Sequence, residues 1–212
     1  MRRSLFRLLT VVAVAGLLAP GCQVLEPTPA LRILSINGGS TLSSDLSDFM
    51  QVFNKEDSVW ETFYQVPSDS MKVELQYVEI GAGLPTVTPY EAIINEVTIT
   101  KFNSSLPPDD APTYTTATLD LNQHVSSDPA GKKTTTFWIT PFSSWWKEKV
   151  FGADGAGLIN EDEPTTIEVI DLVTATLTFK GYDPVADRDV EASGEFQVQF
   201  GNLYDDPSRF GK

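Results

Sequence analysis

Two hydrophobic runs near the C-terminus of the chain alternate with polar residues at a strict period of two. In residues 173–180, Val, Ala, Leu and Phe alternate with Thr and Lys, and residues 190–200 repeat the pattern. Successive side chains of a strand point to opposite faces, so each run predicts a strand with one buried and one solvated face. Gly181-Tyr182-Asp183-Pro184 between the runs predicts the loop of a hairpin.

Shorter runs rich in strand-forming residues predict further strands in five places: residues 31–36, 71–77, 96–100, 117–121 and 137–139. Turns rich in Pro, Gly and Asp separate them, and Asn37-Gly38-Gly39 ends the first. About seven or eight such strands with little helix predict an all-β fold. The favoured architecture is an antiparallel, immunoglobulin-like two-sheet sandwich, with an antiparallel barrel as the alternative.

Two segments favour short helices. Four apolar residues have the spacing of one helical face: Leu46, Phe49, Met50 and Phe53. With Ser43 or Ser44 as a cap, this spacing predicts an amphipathic helix that closes one end of the core. Residues 143–150, ended by Gly152, predict a second helix with Trp146 and Val150 on its inner face.

The N-terminus has the three parts of an export signal. A basic stretch, residues 1–7, precedes an apolar run, residues 8–19, and then Pro20-Gly21-Cys22. A helix needs about 20 apolar residues to cross a bilayer, so this run is too short for a permanent span. It therefore predicts a cleavable signal.

Leu18-Ala19-Pro20-Gly21-Cys22 resembles the lipobox of bacterial lipoproteins. The resemblance implies that the Cys22 thiol carries the lipid anchor, and Gln23 in place of Asp favours the outer membrane. An ordinary secretory signal is the alternative. The predicted organisation is a signal peptide (1–21), a lipid-anchored tether (22–30), a β-sandwich domain (31–204) and a C-terminal tail (205–212).

Most of the mature chain resembles a group of uncharacterised bacterial lipoproteins with a sandwich domain. The segments that show the resemblance are Ile36 to Gly39, Ser44 to Leu46, Leu84 to Phe102, and Ala175 to Asp206. The resemblance implies the same fold and address. It brings no activity and no functional residue.

The residues needed for common catalytic sites are scarce. His124 is the only histidine and Cys22 the only cysteine, which argues against Ser-His-Asp, Cys-His and zinc sites. No Walker loop, dinucleotide fingerprint or G-x-S-x-G is present. We therefore predict no enzyme activity and no cofactor, and keep a hydrolase with two catalytic carboxylates as a remote alternative.

The charge of the chain disfavours nucleic acid as a partner. The net charge is −14, and the predicted signal carries three of the fifteen basic residues and none of the twenty-nine acidic ones. Cleavage of the signal therefore makes the protein still more acidic. Such a surface repels phosphate backbones and anionic lipid head groups.

Six aromatic residues cluster in sequence: Phe137, Trp138, Phe142, Trp145, Trp146 and Phe151. Exposed indole rings stack on sugars, so Trp145 and Trp146 are the candidate ligand-binding residues. The alternative is that the cluster belongs to the core, in which case Trp145 is the member expected to be exposed.

Two acidic loops offer weak calcium candidates: Asp154 and Asp162 in one, and Asp183 and Asp187 in the other. Calcium prefers several oxygen ligands from such loops. Neither loop has the residue order of an EF-hand, and Asp also favours turns for its own local hydrogen bonds. We therefore predict no metal site, and keep calcium binding by these four aspartates as the alternative.

Together these features predict a non-enzymatic, membrane-anchored lipoprotein of the cell envelope. Its sandwich would present loops or sheet edges to an envelope protein or polysaccharide. A carbohydrate-binding module that uses Trp145 and Trp146 is the alternative function.

Overall fold

The computed structural model describes residues 28–80, 91–126, 134–152 and 168–203. The predicted signal, Cys22 and the tail 205–212 lie outside these residues, and so do Asp154 and Asp162. The elements are β1 (Thr28–Ile36), β2 (Leu42–Asp45), β3 (Asp48–Asn54), β4 (Val59–Gln65), β5 (Met71–Ile80), β6 (Glu91–Ser104), β7 (Ala117–Ser126), β8 (Thr135–Ile139), α1 (Ser144–Phe151), β9 (Glu168–Asp183) and β10 (Arg188–Asn202).

The strands form two main sheets, as the period-two alternation predicts. A three-stranded sheet has the order β1-β5-β8, and a five-stranded sheet has the order β2-β10-β9-β6-β7. The hairpin β3-β4 is a separate two-stranded sheet. The expectation of purely antiparallel pairing is wrong at one place, because β2 runs parallel to β10.

The apolar faces of the two main sheets meet in one core. Val73 and Leu75 of β5 and Leu177 and Phe179 of β9 are fully buried there. Contact between the sheets is direct, since the ring of Phe137 on β8 lies 6.1 Å from that of Phe179. The alternate, polar residues point to solvent, which is why the pattern was readable in the sequence.

The predicted hairpin of β9 and β10 is present and antiparallel over almost its whole length. Its loop begins later than predicted, because Gly181 and Tyr182 still pair within the strands. The turn is Pro184 to Asp187. The Asp183 carboxylate causes this turn by accepting the backbone N–H groups of Val185 at 2.8 Å and Ala186 at 2.9 Å.

The helix predicted from Leu46, Phe49, Met50 and Phe53 is wrong. Residues 48–54 form β3, which pairs with β4 along its full length. Asn54 nucleates the connecting turn, because its Oδ1 accepts the backbone N–H of Glu56 at 3.0 Å. Pairing with a partner strand rich in Val, Trp, Phe and Tyr outweighs a helical spacing that spans only two turns.

The second predicted helix is confirmed as α1. Ser143 caps it, accepting the Trp146 backbone N–H at 3.2 Å, and Gly152 ends it with a φ of 100°. Among the described residues, no helix is long and apolar enough to cross a membrane.

Candidate functional site

Helix α1 separates the two tryptophans of the predicted binding pair. The Trp145 side chain is 67% exposed, whereas that of Trp146 is 4% exposed. Adjacent positions on a helix are about 100° apart, so neighbouring residues need not share a face. Lys149, one turn further on, places its ammonium 5.4 Å from the centre of the Trp145 ring.

Trp146 belongs to the core. Its ring lies 4.6 Å from that of Phe142 and 5.6 Å from that of Phe102, and its Nε1 donates to the Thr115 carbonyl at 3.0 Å. Neither the ring face nor the N–H is therefore presented to a ligand. The predicted pair of stacking residues does not come together on the surface.

Trp138 is a second exposed tryptophan that sequence reasoning did not select. It is 65% exposed on β8, where it is the cross-strand neighbour of Lys72. Phe137 before it packs against the core, so Trp138 must point outward. The alternation of inward and outward side chains along β8 was the sequence signal that could have predicted an exposed Trp138.

The described calcium candidates have local roles. Asp183 is fully buried, accepts the Tyr77 hydroxyl through Oδ2, and holds the β9-β10 turn through Oδ1. Asp187 accepts the Tyr182 hydroxyl. In the part of the chain that the structure describes, no group of three His, Cys, Asp or Glu residues is arranged to hold a metal ion.

The single histidine lies on the solvent side of the five-stranded sheet. His124 on β7 is exposed, and its Nδ1 lies 2.9 Å from Oε1 of Glu91 on β6. This is a surface contact between neighbouring strands, and no nucleophile is hydrogen-bonded to the ring among the described residues.

A groove lies between the edges of the two sheets, where β1 faces β10. It has a volume of about 720 Å³ and is lined mainly by residues 31–36 of β1 and 192–195 of β10. The two strands approach closely at Gly194, where an added Cβ would lie 3.2 Å from the Cδ1 atoms of Ile33 and Ile36. Two apolar side chains therefore lie beside Gly194 in the groove.

Both strands beside the groove have an unpaired edge. β1 is the outer strand of its sheet, and β10 pairs with β2 only over Val198 to Gly201. Within residues 28–80, 91–126, 134–152 and 168–203, no strand pairs with β10 upstream of Val198 on that side. Such an edge presents backbone donors and acceptors that another strand can use.

The solvent face of β10 is acidic along this edge. Asp189, Glu191 and Glu195 are exposed at alternate positions, separated only by Ser193. On the neighbouring strands, Lys180 forms an ion pair with Glu96 at 3.1 Å. Like charges in a row repel a second acidic strand and attract a basic one.

A buried ion pair lies beneath α1. Nζ of Lys147 is 2.7 Å from Oδ1 of Asp69, and the two side chains are 0% and 5% exposed. Ser44 donates its hydroxyl to Oδ2 of Asp69 at 2.7 Å, and Lys147 also donates to the Asp45 carbonyl at 2.7 Å. Burial raises the pKa of Asp69 and lowers that of Lys147, more than their mutual attraction opposes it.

No sequence signal pointed to this pair. Asp69 and Lys147 are 78 residues apart, and Lys147 lies among the polar residues of a short helix. Lysine is seldom fully buried, so its position is noticeable only in the folded structure.

Comparison of the chain with protein-family models, with curated proteins and with solved structures gives no match.

Proposed function

We propose that this chain is a membrane-anchored lipoprotein of the cell envelope whose β-sandwich is a non-enzymatic binding module. The observation that supports this function best is the groove between the unpaired edges of β1 and β10. The proposal includes the immunoglobulin-like type of the sandwich, a lipid on Cys22 and an outer-membrane location.

The mode of binding that fits the groove is strand addition. An extended segment of a partner pairs its backbone with β10 upstream of Val198, where β2 ends its own pairing. Side chains on one face of the added strand reach Ile33 and Ile36, the apolar side chains beside Gly194. Backbone hydrogen bonds supply affinity, and alternate side chains supply specificity.

Charge restricts the partner. Side chains on the other face of the added strand lie beside Glu191 and Glu195, and opposite charges on neighbouring strands attract each other. The preferred segment therefore has apolar and basic residues in alternation. Two copies of this chain would bring their acidic β10 edges together, so this edge disfavours self-association.

Hydrogen exchange of the full chain in detergent tests the proposal. A synthetic peptide with alternating Val and Lys should slow amide exchange within residues 190–197, and a peptide with alternating Val and Glu should not. Charge reversal, Glu191→Lys with Glu195→Lys, should invert this preference. Asp120→Lys, an exposed site on β7 at the opposite edge of the sheet, is the matched control. Equal protection by both peptides, or none, would contradict strand addition.

Carbohydrate binding remains a second candidate because Trp138 and Trp145 are 65% and 67% exposed. Indole faces of this exposure are suited to stacking on sugar rings. The test is retention of the full chain by cell-wall or capsular polysaccharide, with Trp138→Ala and Trp145→Ala. Retention that neither substitution lowers would remove this candidate. Trp146→Ala is unsuitable, since loss of a buried aromatic costs about 3–5 kcal/mol and weakens the fold itself.

A further inference from the structure

The buried Lys147 and Asp69 side chains hold an amine and a carboxyl group in direct contact. Nζ of Lys147 lies 2.7 Å from Oδ1 of Asp69, which brings the nitrogen beside the carboxyl carbon. Reacting groups held about 3–3.5 Å apart gain most of the advantage that an intramolecular reaction offers. Both backbones are fixed, because Asp69 N–H donates to the Phe142 carbonyl at 2.9 Å and Lys147 N–H to the Ser143 carbonyl at 3.0 Å.

We infer that Lys147 and Asp69 condense to an intramolecular amide, a covalent link between α1 and the segment before β5. The inference is independent of the proposed binding function. It rests on the contact between the two groups, their exclusion from solvent and the hydrogen bonds around them.

The reaction needs no co-reactant. The proton shared between the two groups passes from Nζ to Oδ1, which leaves a neutral amine and a neutral carboxylic acid. The Nζ lone pair then attacks Cγ of Asp69, and one more proton moves from Nζ to Oδ1. The bond between Cγ and Oδ1 breaks, water departs, and Oδ2 remains as the amide oxygen.

The neighbouring groups fit the two ends of this reaction. Ser44 donates its hydroxyl to Oδ2 at 2.7 Å, the oxygen on which negative charge develops during attack. The Asp45 carbonyl accepts from Nζ at 2.7 Å, which orients the amine and can accept the N–H of the product amide.

Burial favours the neutral amine and carboxylic acid that react, and it protects the amide that forms. Because the site is solvent-excluded, the pKa of Asp69 is raised and the pKa of Lys147 is lowered, which favours the neutral pair. Exclusion of water also slows hydrolysis of the amide once it has formed. The chain contains a single cysteine and so has no internal disulfide, whereas this link joins residues 78 apart.

Peptide mapping by tandem mass spectrometry tests the inference on the purified, denatured full chain. Trypsin releases residues 56–72, which contain Asp69, and residues 134–147 as two linear peptides if the side chains are unlinked. The amide should give one branched peptide of residues 56–72 and 134–149, lighter by one water, because trypsin does not cleave after an acylated lysine.

Two variants complete the experiment. Lys147→Arg keeps the positive charge but does not form the amide, and should yield only linear peptides. Lys149→Arg changes an exposed lysine two residues further along α1 and should keep the branched peptide. Complete cleavage after Lys147 in the denatured wild-type chain would overturn the inference, and this result does not depend on whether the Lys147→Arg chain folds.

Discussion

Asp171 holds three hydroxyl groups around one carboxylate at the end of the sandwich. Its oxygens accept from Ser104 at 2.6 Å, from Ser105 at 3.0 Å and from Tyr114 at 2.7 Å. Burial acts to raise the pKa of Asp171, but these hydrogen bonds outweigh it and hold the pKa below its ordinary value. The charged carboxylate therefore stabilises the fold, and this contribution is lost as the pH falls through the lowered pKa.

Removal of one hydroxyl measures the strength of this network. Tyr114→Phe should lower the free energy of unfolding by about 1.5–3 kcal/mol, because it removes a hydrogen bond to a charged group. Urea denaturation at neutral pH measures the change. Tyr182→Phe is the matched control, since Tyr182 also donates to an aspartate, Asp187, but on the exposed surface. A loss as large in Tyr182→Phe as in Tyr114→Phe would contradict the role of burial.

Alkaline pH should destabilise the protein through two tyrosines. Burial, followed by hydrogen bonding to Asp183 and Asp171, raises the pKa values of Tyr77 and Tyr114 well above the ordinary value of about 10. Groups with a raised folded pKa stabilise the fold below the unfolded pKa, and this contribution is lost as the pH rises above about 10. Phenolate absorbance should show two tyrosines that ionise only with unfolding. The double substitution Tyr77→Phe with Tyr114→Phe should reduce the dependence of the free energy of unfolding on alkaline pH. An unchanged dependence would contradict the role of these two tyrosines.

The two predicted helices show which local signals suffice for an element. In α1, a cap at Ser143, a stop at Gly152 and apolar residues on one face agree with each other, and the helix forms. In residues 46–53 the helical spacing and a candidate cap at Ser43 or Ser44 had no stop signal to match them, and the structure instead forms a hairpin whose turn is held by Asn54. Agreement between caps, turns and periodicity predicts an element better than periodicity alone.

Two glycines in the β9-β10 hairpin should respond differently to alanine. A Cβ on Gly181 would lie 2.3 Å from the Ile93 carbonyl oxygen, so backbone must move, and Gly181→Ala should cost about 3 kcal/mol. At Gly194 the nearest atoms are the flexible Cδ1 ends of Ile33 and Ile36 at 3.2 Å. Gly194→Ala should stay within about 1 kcal/mol of wild type, because lower chain entropy in the unfolded state offsets the crowding. Thermal unfolding compares the two, and equal losses would contradict the close approach of β9 to β6.

At the scale of the whole molecule, alternation predicted which segments are strands but not which edges remain open. Every predicted strand from 31–36 to 190–200 is present, yet the parallel pairing of β2 with β10 is non-local and has no signature in either strand. The groove at Gly194 depends on that pairing stopping at Val198. The contact between Lys147 and Asp69 could not be predicted from the sequence for the same reason, since it depends on how α1 packs.

The net charge of the whole protein also bears on how the proposed membrane attachment would work. With a net charge of −14, the chain is repelled by anionic lipid head groups and gains no electrostatic attachment to them. A hydrocarbon chain contributes about 0.8 kcal/mol for each buried methylene, so acyl chains on Cys22 would be enough for stable attachment.

Substitution of the proposed anchor should therefore change attachment. In cells supplied with an alkyne-bearing fatty acid, the wild-type chain should become labelled and enter the detergent phase on phase separation. Cys22→Ser should incorporate no label, because serine offers no thiol to the acylating step. Gln23→Asp is the matched control: it keeps the thiol and should keep the label, while moving the protein towards the inner membrane if the outer-membrane assignment is right. Label of wild-type intensity in Cys22→Ser would show that any lipid is attached elsewhere and would remove Cys22 as the anchor.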